Sequence, residues 1–281
     1  MANDPKIWFI TGTSKGFGRV WAEAALQRGD KVIATARDPK SLDPLVSRYG
    51  PAVLPLALDV TDVAAVRTAV RRGHEHFGRL DVVVNNAGYG LFGMVEEVTP
   101  EQARAQLETN FFGALWVTQA ALPILRAQKS GHIIQVSSIG GVHAFPMLGL
   151  YHASKWALEG MTQSLAAEVD GLGIKVTLIE PGGYDTDWRG ASSVQAAPIP
   201  AYDSARERRA AAIGPLRSMS GDPQATGAAI LEIVDAEKPP LRVFFGVVPL
   251  TMIKPEYEKR LATWEAWSEL SRAAQGEAKA R

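Results

Sequence analysis

Tyr151 and Lys155 stand four positions apart inside a stretch of helical periodicity, Tyr151–Val169, so the phenol and the ammonium share one helix face. A free tyrosine ionises near pH ~10. To exchange protons near neutral pH, its phenolate must be favoured by roughly 2–3 pKa units, or about 3–4 kcal/mol. A nearby ammonium does this, and so does a helix N-terminus. Lys155 supplies the first, and the place of Tyr151 at the head of its helix supplies the second. Ser138 lies 13 residues before Tyr151, just past the strand-like His132–Val136. The carboxyl ends of parallel strands are where ligands bind. A hydroxyl there can hydrogen-bond a substrate oxygen and stabilise developing alkoxide charge. Ser137 is the adjacent alternative, and the spacing favours Ser138. Taken singly, a Tyr–Lys pair is surface decoration and a Ser-Ser pair is loop; the order of the motifs gives them weight.

A second cluster lies near the start. The apolar run Ile7–Ile10 leads into Thr11-Gly12-Thr13-Ser14-Lys15-Gly16-Phe17-Gly18 and then a helical pattern. Glycines let the backbone turn tightly and approach a pyrophosphate, and the following helix aims free N–H groups at the anion. The spacing 12, 16, 18 is neither G-x-G-x-x-G nor the P-loop pattern. A tight strand-to-helix turn without a ligand is the alternative. In NAD sites an acid after the second strand holds the ribose hydroxyl. Here that strand ends Thr35-Ala36-Arg37-Asp38, which puts Ala36 at the acid position and Arg37 next to it. A guanidinium suits a 2′-phosphate, and Lys15 adds a second cation. The pair favours NADP(H) over NAD(H). Asp38 is the counter-signal, able to serve the ribose if the register shifts by two, so NAD(H) stays possible.

These residues need a scaffold. Strands are expected at Ile7–Ile10, Lys31–Ala36, Ala52–Leu58, Leu80–Asn85, His132–Val136, Lys175–Ile179 and Arg242–Phe245, and helices at Gly16–Arg28, Asp62–Phe77, Pro100–Gln128, Tyr151–Val169 and Asp222–Asp235. Continuous apolar runs suit strands buried on both faces of a parallel sheet. The alternation of strand and helix implies an α/β, Rossmann-like doubly wound fold. Two segments break the alternation. Residues 188–221 read as a lid over the substrate, with a short helix at Asp203–Ala212. Its Arg206, Arg208 and Arg209 either meet an acidic substrate or form a solvated helix face. In the tail, about 255–275, Leu261, Trp264, Trp267 and Leu270 recur at helical spacing and either join another protomer or pack on the parent domain.

Composition narrows the classes. The 281 residues carry 30 Lys plus Arg against 30 Asp plus Glu, so no overall charge draws the chain to nucleic acid or an anionic membrane. Hydrophobic residues make up 46% and charged ones 21%, the balance of a globular domain. There is no cysteine, which excludes disulfides and thiolate chemistry. His74 and His76 do not share a helix face well, and no metal site is expected. Met1–Lys6 is polar and lacks a signal-peptide layout, and no run of 18 apolar residues occurs. A cytoplasmic protein of one domain, residues 1–281, is the expectation.

In order along the chain stand Thr11-Gly12-x-x-x-Gly16-x-Gly18, Asn85-Asn86-Ala87-Gly88, Asn110, Ser138, Tyr151-x-x-x-Lys155, and Pro181-Gly182 with Thr186. With these motifs the sequence resembles the short-chain dehydrogenase/reductase family. The resemblance implies a single domain on a seven-stranded parallel sheet and hydride transfer to or from a nicotinamide. It implies catalytic roles for Asn110, Ser138, Tyr151 and Lys155, with Asn110 holding a water that links Lys155 to solvent. It implies cofactor contacts from residues 12–18, Arg37, Asp59, Val60, Asn86, Ala87, Gly88, Tyr151, Lys155, Pro181, Gly182 and Thr186. It also implies a homodimer or homotetramer paired through Pro100–Gln128 and Tyr151–Val169. Around the reacting centre stand Tyr89, Leu91, Phe92, Val142, His143, Phe145, Met147, Leu148, Tyr184 and Trp188, mostly apolar. A small apolar carbonyl or alcohol is the expected substrate. His143 either touches it or lies on the surface. The rival classes are a non-enzymatic dinucleotide sensor or scaffold, a sugar-nucleotide epimerase and an enoyl reductase. The first could dispense with the proton-transfer residues. The second carries T-G-x-x-G-x-x-G, and the third a longer Tyr–Lys spacing.

Overall fold

The computed structural model describes residues 5–190, 192–217 and 219–276; the Met1–Asp4 start and position 218 of the expected lid lie outside the described residues, as do 191 and 277–281. Among the described residues, nine strands alternate with ten α-helices. The chain runs β1 (Ile7–Ile10), α1 (Gly16–Gln27), β2 (Lys31–Ala36), α2 (Asp43–Tyr49), β3 (Val53–Ala57), α3 (Val63–Phe77), β4 (Val82–Asn85) and β5 (Leu91–Phe92). It continues with α4 (Pro100–Leu107), α5 (Gly113–Gln128), β6 (Gly131–Val136), α6 (Gly149–Glu168), β7 (Ile174–Pro181) and β8 (Val194–Gln195). It closes with α7 (Asp203–Arg217), α8 (Thr226–Asp235), β9 (Arg242–Phe245), α9 (Val248–Ala266) and α10 (Ser268–Gln275).

Seven strands form one parallel sheet in the order β3-β2-β1-β4-β6-β7-β9. The order reverses at β1/β4, which opens a crevice at the carboxyl ends of those strands, the place where doubly wound sheets bind ligands. Both faces of the sheet are buried, as the continuous apolar runs require. One core packs Trp8, Trp21 and Ile134 with α1 and α8, and the other packs Phe9, Ile33 and Ile133 with α3 and α5. The buried indoles keep partners: Trp8 Nε1 donates to Asp30 at 2.8 Å and Trp21 Nε1 to Thr226 at 2.8 Å.

All seven expected sheet strands form, with ends that move by up to two residues. Three expectations need correction. Pro100–Gln128 is not one α-helix. A π-helical turn, Glu108–Phe112, separates α4 from α5, and it contains Asn110. The wider turn re-aims one side chain without interrupting the apolar pattern. The helix at Asp203 runs on to Arg217. The aromatic stripe of the tail does not pack on the parent domain: Leu261, Trp264, Trp267 and Leu270 are between 53% and 62% exposed, because α9 leaves the body after its last buried residue, Ile253. Elements the patterns did not reveal are α2 and the two-residue parallel pair β5–β8, which ties the chain after β4 to residues 194–195.

Candidate active site

The glycine loop is held to the segment that follows β4. Thr11 Oγ1 accepts from the backbone N–H groups of Asn86 and Ala87, each at 2.9 Å. Asn86 Nδ2 donates back to the carbonyls of Thr11 and Gly12 at 2.9 and 3.0 Å. The loop therefore turns within touching distance of the Asn-Asn-Ala-Gly segment. Gly12 sits at φ +69°, where a Cβ would lie 3.1 Å from Ala87 Cα. A Cβ on Gly18 would drive into the Gly12 carbonyl.

A cleft of about 1720 Å³ runs from this loop past the ends of β2, β4 and β6 to α7. That exceeds the roughly 300–1,000 Å³ of a one-ligand pocket and leaves room for a dinucleotide together with a substrate. Gly12, Ser14, Lys15, Gly16, Phe17, Arg37, Asp59, Val60, Asn86, Ala87, Gly88, Pro181, Gly182 and Thr186 all line it. Thr13 and Gly18 do not. Thr13 is fully buried and donates to the Thr35 carbonyl at 3.0 Å, and Gly18 packs beneath the loop. Arg37 is exposed on the cleft wall with no ion-pair partner among the described residues. Asp38, the counter-signal, does not line the cleft; its carboxylate accepts from Lys40 N at 3.0 Å and caps the next turn. Lys15 crosses the cleft to Asp187 at 2.5 Å.

At the other end stand Ser138, Tyr151 and Lys155. Ser138 caps the short turn Ile139–Gly141, where its Oγ accepts from Gly140 N at 3.0 Å. That leaves its hydroxyl hydrogen for another oxygen. Tyr151 lies in the first turn of α6 and is 6% exposed. Lys155 Nζ donates to the Val136 carbonyl at 2.7 Å and lies 5.9 Å from the centre of the Tyr151 ring. Asn110 is buried and does not line the cleft. Its Oδ1 accepts from Tyr89 N at 3.0 Å, and its Nδ2 donates to the Tyr89 carbonyl and to Ser154. A Cβ on Gly88 would meet both Asn110 Oδ1, at 3.1 Å, and Lys155 Nζ, at 3.8 Å, so the three adjoin.

The protein alone does not lower the phenol. The Tyr151 phenol is not lowered but pushed up to about 12 by burial, with a hydrogen bond to Ser138 pulling the other way. Burial lowers Lys155 to about 8, while the Glu159 carboxylate draws it back up. In the protein alone, desolvation is the larger influence on this phenol.

Two further side chains build this end of the cleft. His152 is neutral, lowered to about 4 chiefly by burial. Its Nδ1 donates to the Gly140 carbonyl at 3.0 Å, and its Nε2 accepts from Phe145 N at 3.1 Å, so it pins the loop that carries Ser138. Sequence periodicity gives no sign of that task. Trp188 stacks edge-on against Tyr151 and Phe92, with centroids 5.0 and 5.2 Å away. Of the expected apolar pocket residues, Leu91, Val142 and His143 do not line the cleft; Leu91 and Val142 are core, and His143 packs on Phe145. Arg206, Arg208 and Arg209 do line it. Arg206 is tied to the buried Glu97 and to Asp203, and Arg209 lies over the Phe145 ring. Among the described residues no cluster of His, Asp or Glu could hold a metal, and no helix is long and apolar enough to cross a membrane.

The family model described as short chain dehydrogenase matches residues 6–196. Oxidoreductase BOA17 of Botryotinia fuckeliana (strain B05.10) is 46% identical over 275 residues, covering 96% of this chain and 99% of that protein. A short-chain dehydrogenase from Streptomyces avermitilis superposes with a TM-score of 0.90 at 36% identity, covering 98% of this chain and 100% of that one. A short chain dehydrogenase from Burkholderia cenocepacia J2315, solved in complex with NADP, superposes with a TM-score of 0.74 at 27% identity, covering 93% and 97%.

Proposed function

The chain belongs to the short-chain dehydrogenase family, and from that premise we propose that it interconverts a hydrophobic ketone or aldehyde and the corresponding alcohol with NADP(H). It is an oxidoreductase of the CH–OH/C=O class that uses a nicotinamide cofactor. The observation that carries the finer reading is the joint placement of Ser138, Tyr151 and Lys155 at one end of a cleft with Arg37, which has no ion-pair partner among the described residues, at the other.

The glycine loop, Asn86–Gly88, Asp59, Val60 and Pro181–Thr186 are the residues that would hold the dinucleotide. The glycine-lined approach and the size of the cleft support that fit. Arg37 and Lys15 are the donors for a 2′-phosphate. When bound, the nicotinamide supplies or takes up the hydride. In the reducing direction Ser138 donates its hydroxyl hydrogen to the carbonyl oxygen and steadies the charge that develops there. Tyr151 gives up its phenolic proton to the same oxygen as general acid. Burial keeps that phenol protonated until it is needed, and the Lys155 ammonium favours the phenolate left behind. Asn110 holds the Gly88–Tyr89 backbone beside Lys155.

The outer cleft is walled by Phe92, Phe145, Met147, Leu148, Trp188 and Met252, which supports an apolar substrate. Residues 188–221 are the lid and 255–275 a helical tail of the one domain. The proposed assembly is a homodimer or homotetramer through α4–α5 and α6, in the cytoplasm; light scattering that finds only a monomer removes it. The test of the activity is a panel of carbonyls and alcohols, followed by nicotinamide absorbance with NADPH and with NADH. Turnover of bulky apolar ketones with NADPH is expected. Preference for sugars or short hydroxy acids refutes the substrate class.

A further inference from the structure

One helical turn beyond Lys155 on α6 lies Glu159, outside the cleft and 5% exposed. It faces Glu180 on β7, which is 2% exposed, and both meet a single guanidinium, that of Arg242 on β9. Arg242 Nε is 2.9 Å from Glu159 Oε2 and 3.5 Å from Glu180 Oε1. Arg242 also donates to Gln163 on α6 at 2.9 Å. Glu159 Oε1, Glu180 Oε1 and the hydroxyl of Ser137 are buried with no other full hydrogen bond. A Cβ on Gly141 would touch both Ser137 Oγ and Glu159 Oε1, so these groups form one compact polar knot.

The two buried carboxylates share one guanidinium, with the Lys155 ammonium one helical turn from Glu159 only, and burial favours a proton on the carboxylate that is held less closely. The closer approach of Arg242 assigns the charge to Glu159 and the proton to Glu180. Burial and the Glu159 charge push Glu180 up to about 8. Burial also raises Glu159, opposed by Ser137, Arg242 and Lys155. The groups that meet the pair come from α6 (Lys155), β7, β9 and the end of β6 (Ser137); no other element packed on α6 brings a charge to it among the described residues. The Tyr–Ser–Lys site uses neither carboxylate.

We propose that Glu159 is a positioning residue for Lys155: its carboxylate, kept charged because Glu180 holds the proton of the pair, maintains the buried ammonium in its cationic form beside Tyr151. The role in turnover rests on the function of Tyr151 and Lys155 proposed above. The coupling itself does not, and it is read without substrate.

The experiment uses the full chain with E159Q, E159D and E180Q. Nuclear magnetic resonance of lysine labelled at Nζ follows the Lys155 titration, assigned with K155M. E159Q is expected to lower it by about one unit or more, roughly tenfold in the charged fraction. E159D restores most of that shift, and E180Q, which leaves the Glu159 charge in place, moves it less than half as far. In steady-state kinetics with NADPH and an apolar ketone, the high-pH limb of kcat moves down by the same amount in E159Q, with KM within about twofold of wild type. An unshifted Lys155 titration in a folded E159Q, or a loss of kcat equal at every pH, overturns the proposal. If E159Q does not fold, glutamate carboxyl resonances of the wild type decide instead. A carboxyl titrating near pH 8 in step with Lys155 is expected, and none above pH 7 overturns it. A wild type that turns over no carbonyl refutes the function proposed above and leaves the two titration arms to decide this coupling.

Discussion

The Trp188 indole lies against the Tyr151 ring, with centroids 5.0 Å apart and planes at 62°. One aromatic from residues 187–189 thus helps desolvate the phenol proposed as the proton donor. Burial is the larger of the forces on that phenol, and it holds the proton on. Replacing Trp188 with alanine opens this side of the cleft. The KM for bulky apolar carbonyls is expected to rise about tenfold or more, since a large buried side chain contributes about 1.5–3 kcal/mol of apolar contact. NADPH affinity, measured by fluorescence titration, is expected to stay the same.

Tyr151→Phe removes the acidic proton and keeps the ring packing. A loss of roughly 10²–10⁴ in kcat is expected, the usual contribution of a general acid or base. NADPH binding is expected to change little. Retention of more than about a tenth of kcat would show that another group supplies the proton.

Arg37→Leu tests the cofactor. A charge-assisted hydrogen bond contributes about 1.5–3 kcal/mol, so the Kd for NADPH is expected to rise roughly 10- to 100-fold. The Kd for NADH should change by less than about threefold. Equal losses for the two cofactors would remove the 2′-phosphate from the account.

His132 sets a pH limit on stability. It is buried on β6, its Nε2 pairs with Thr177 Oγ1 at 2.9 Å, and it is lowered to about 3, chiefly by burial and then by Lys175 and Lys6. Below about pH 6.5 the unfolded chain takes up a proton there that the folded chain refuses. Stability is therefore lost as pH falls from about 6.5 towards 3, and this contribution is flat above that window. The melting temperature of the wild type is expected to drop between pH 7 and 5. His132→Gln, which keeps a polar partner for Thr177, should show a shallower drop in calorimetry.

The sheet was legible because its strands are continuous runs of Val, Ile and Leu; Ser138, Tyr151 and Lys155, read as a candidate site from motif order and the family resemblance, line one cleft. What stayed hidden depends on contacts between distant segments. The π-helical turn around Asn110 adds one residue to a turn without disturbing the apolar stripe. β5 and β8 are two residues each, too short for any period. That burial raises the phenol in the protein alone was not legible, because spacing shows the ammonium but not how deeply the ring is buried. Thr13 and Gly18 sit in the right loop but face the core, a matter of the backbone path through that turn. Glu159 and Glu180 are 21 residues apart in sequence, and only the packing of α6 on β7 shows that they meet.

The contact between Lys15 and Asp187 joins positions 172 residues apart, and both partners are partly open to water. Such an exposed pair contributes only about 0–1 kcal/mol and weakens in salt. It is a soft latch between the nucleotide end of the groove and the strip bearing Trp188. On the proposed cofactor reading, a phosphate at the glycine loop would compete with Asp187 for the same ammonium, while Ser192 keeps its own bond to that carboxylate.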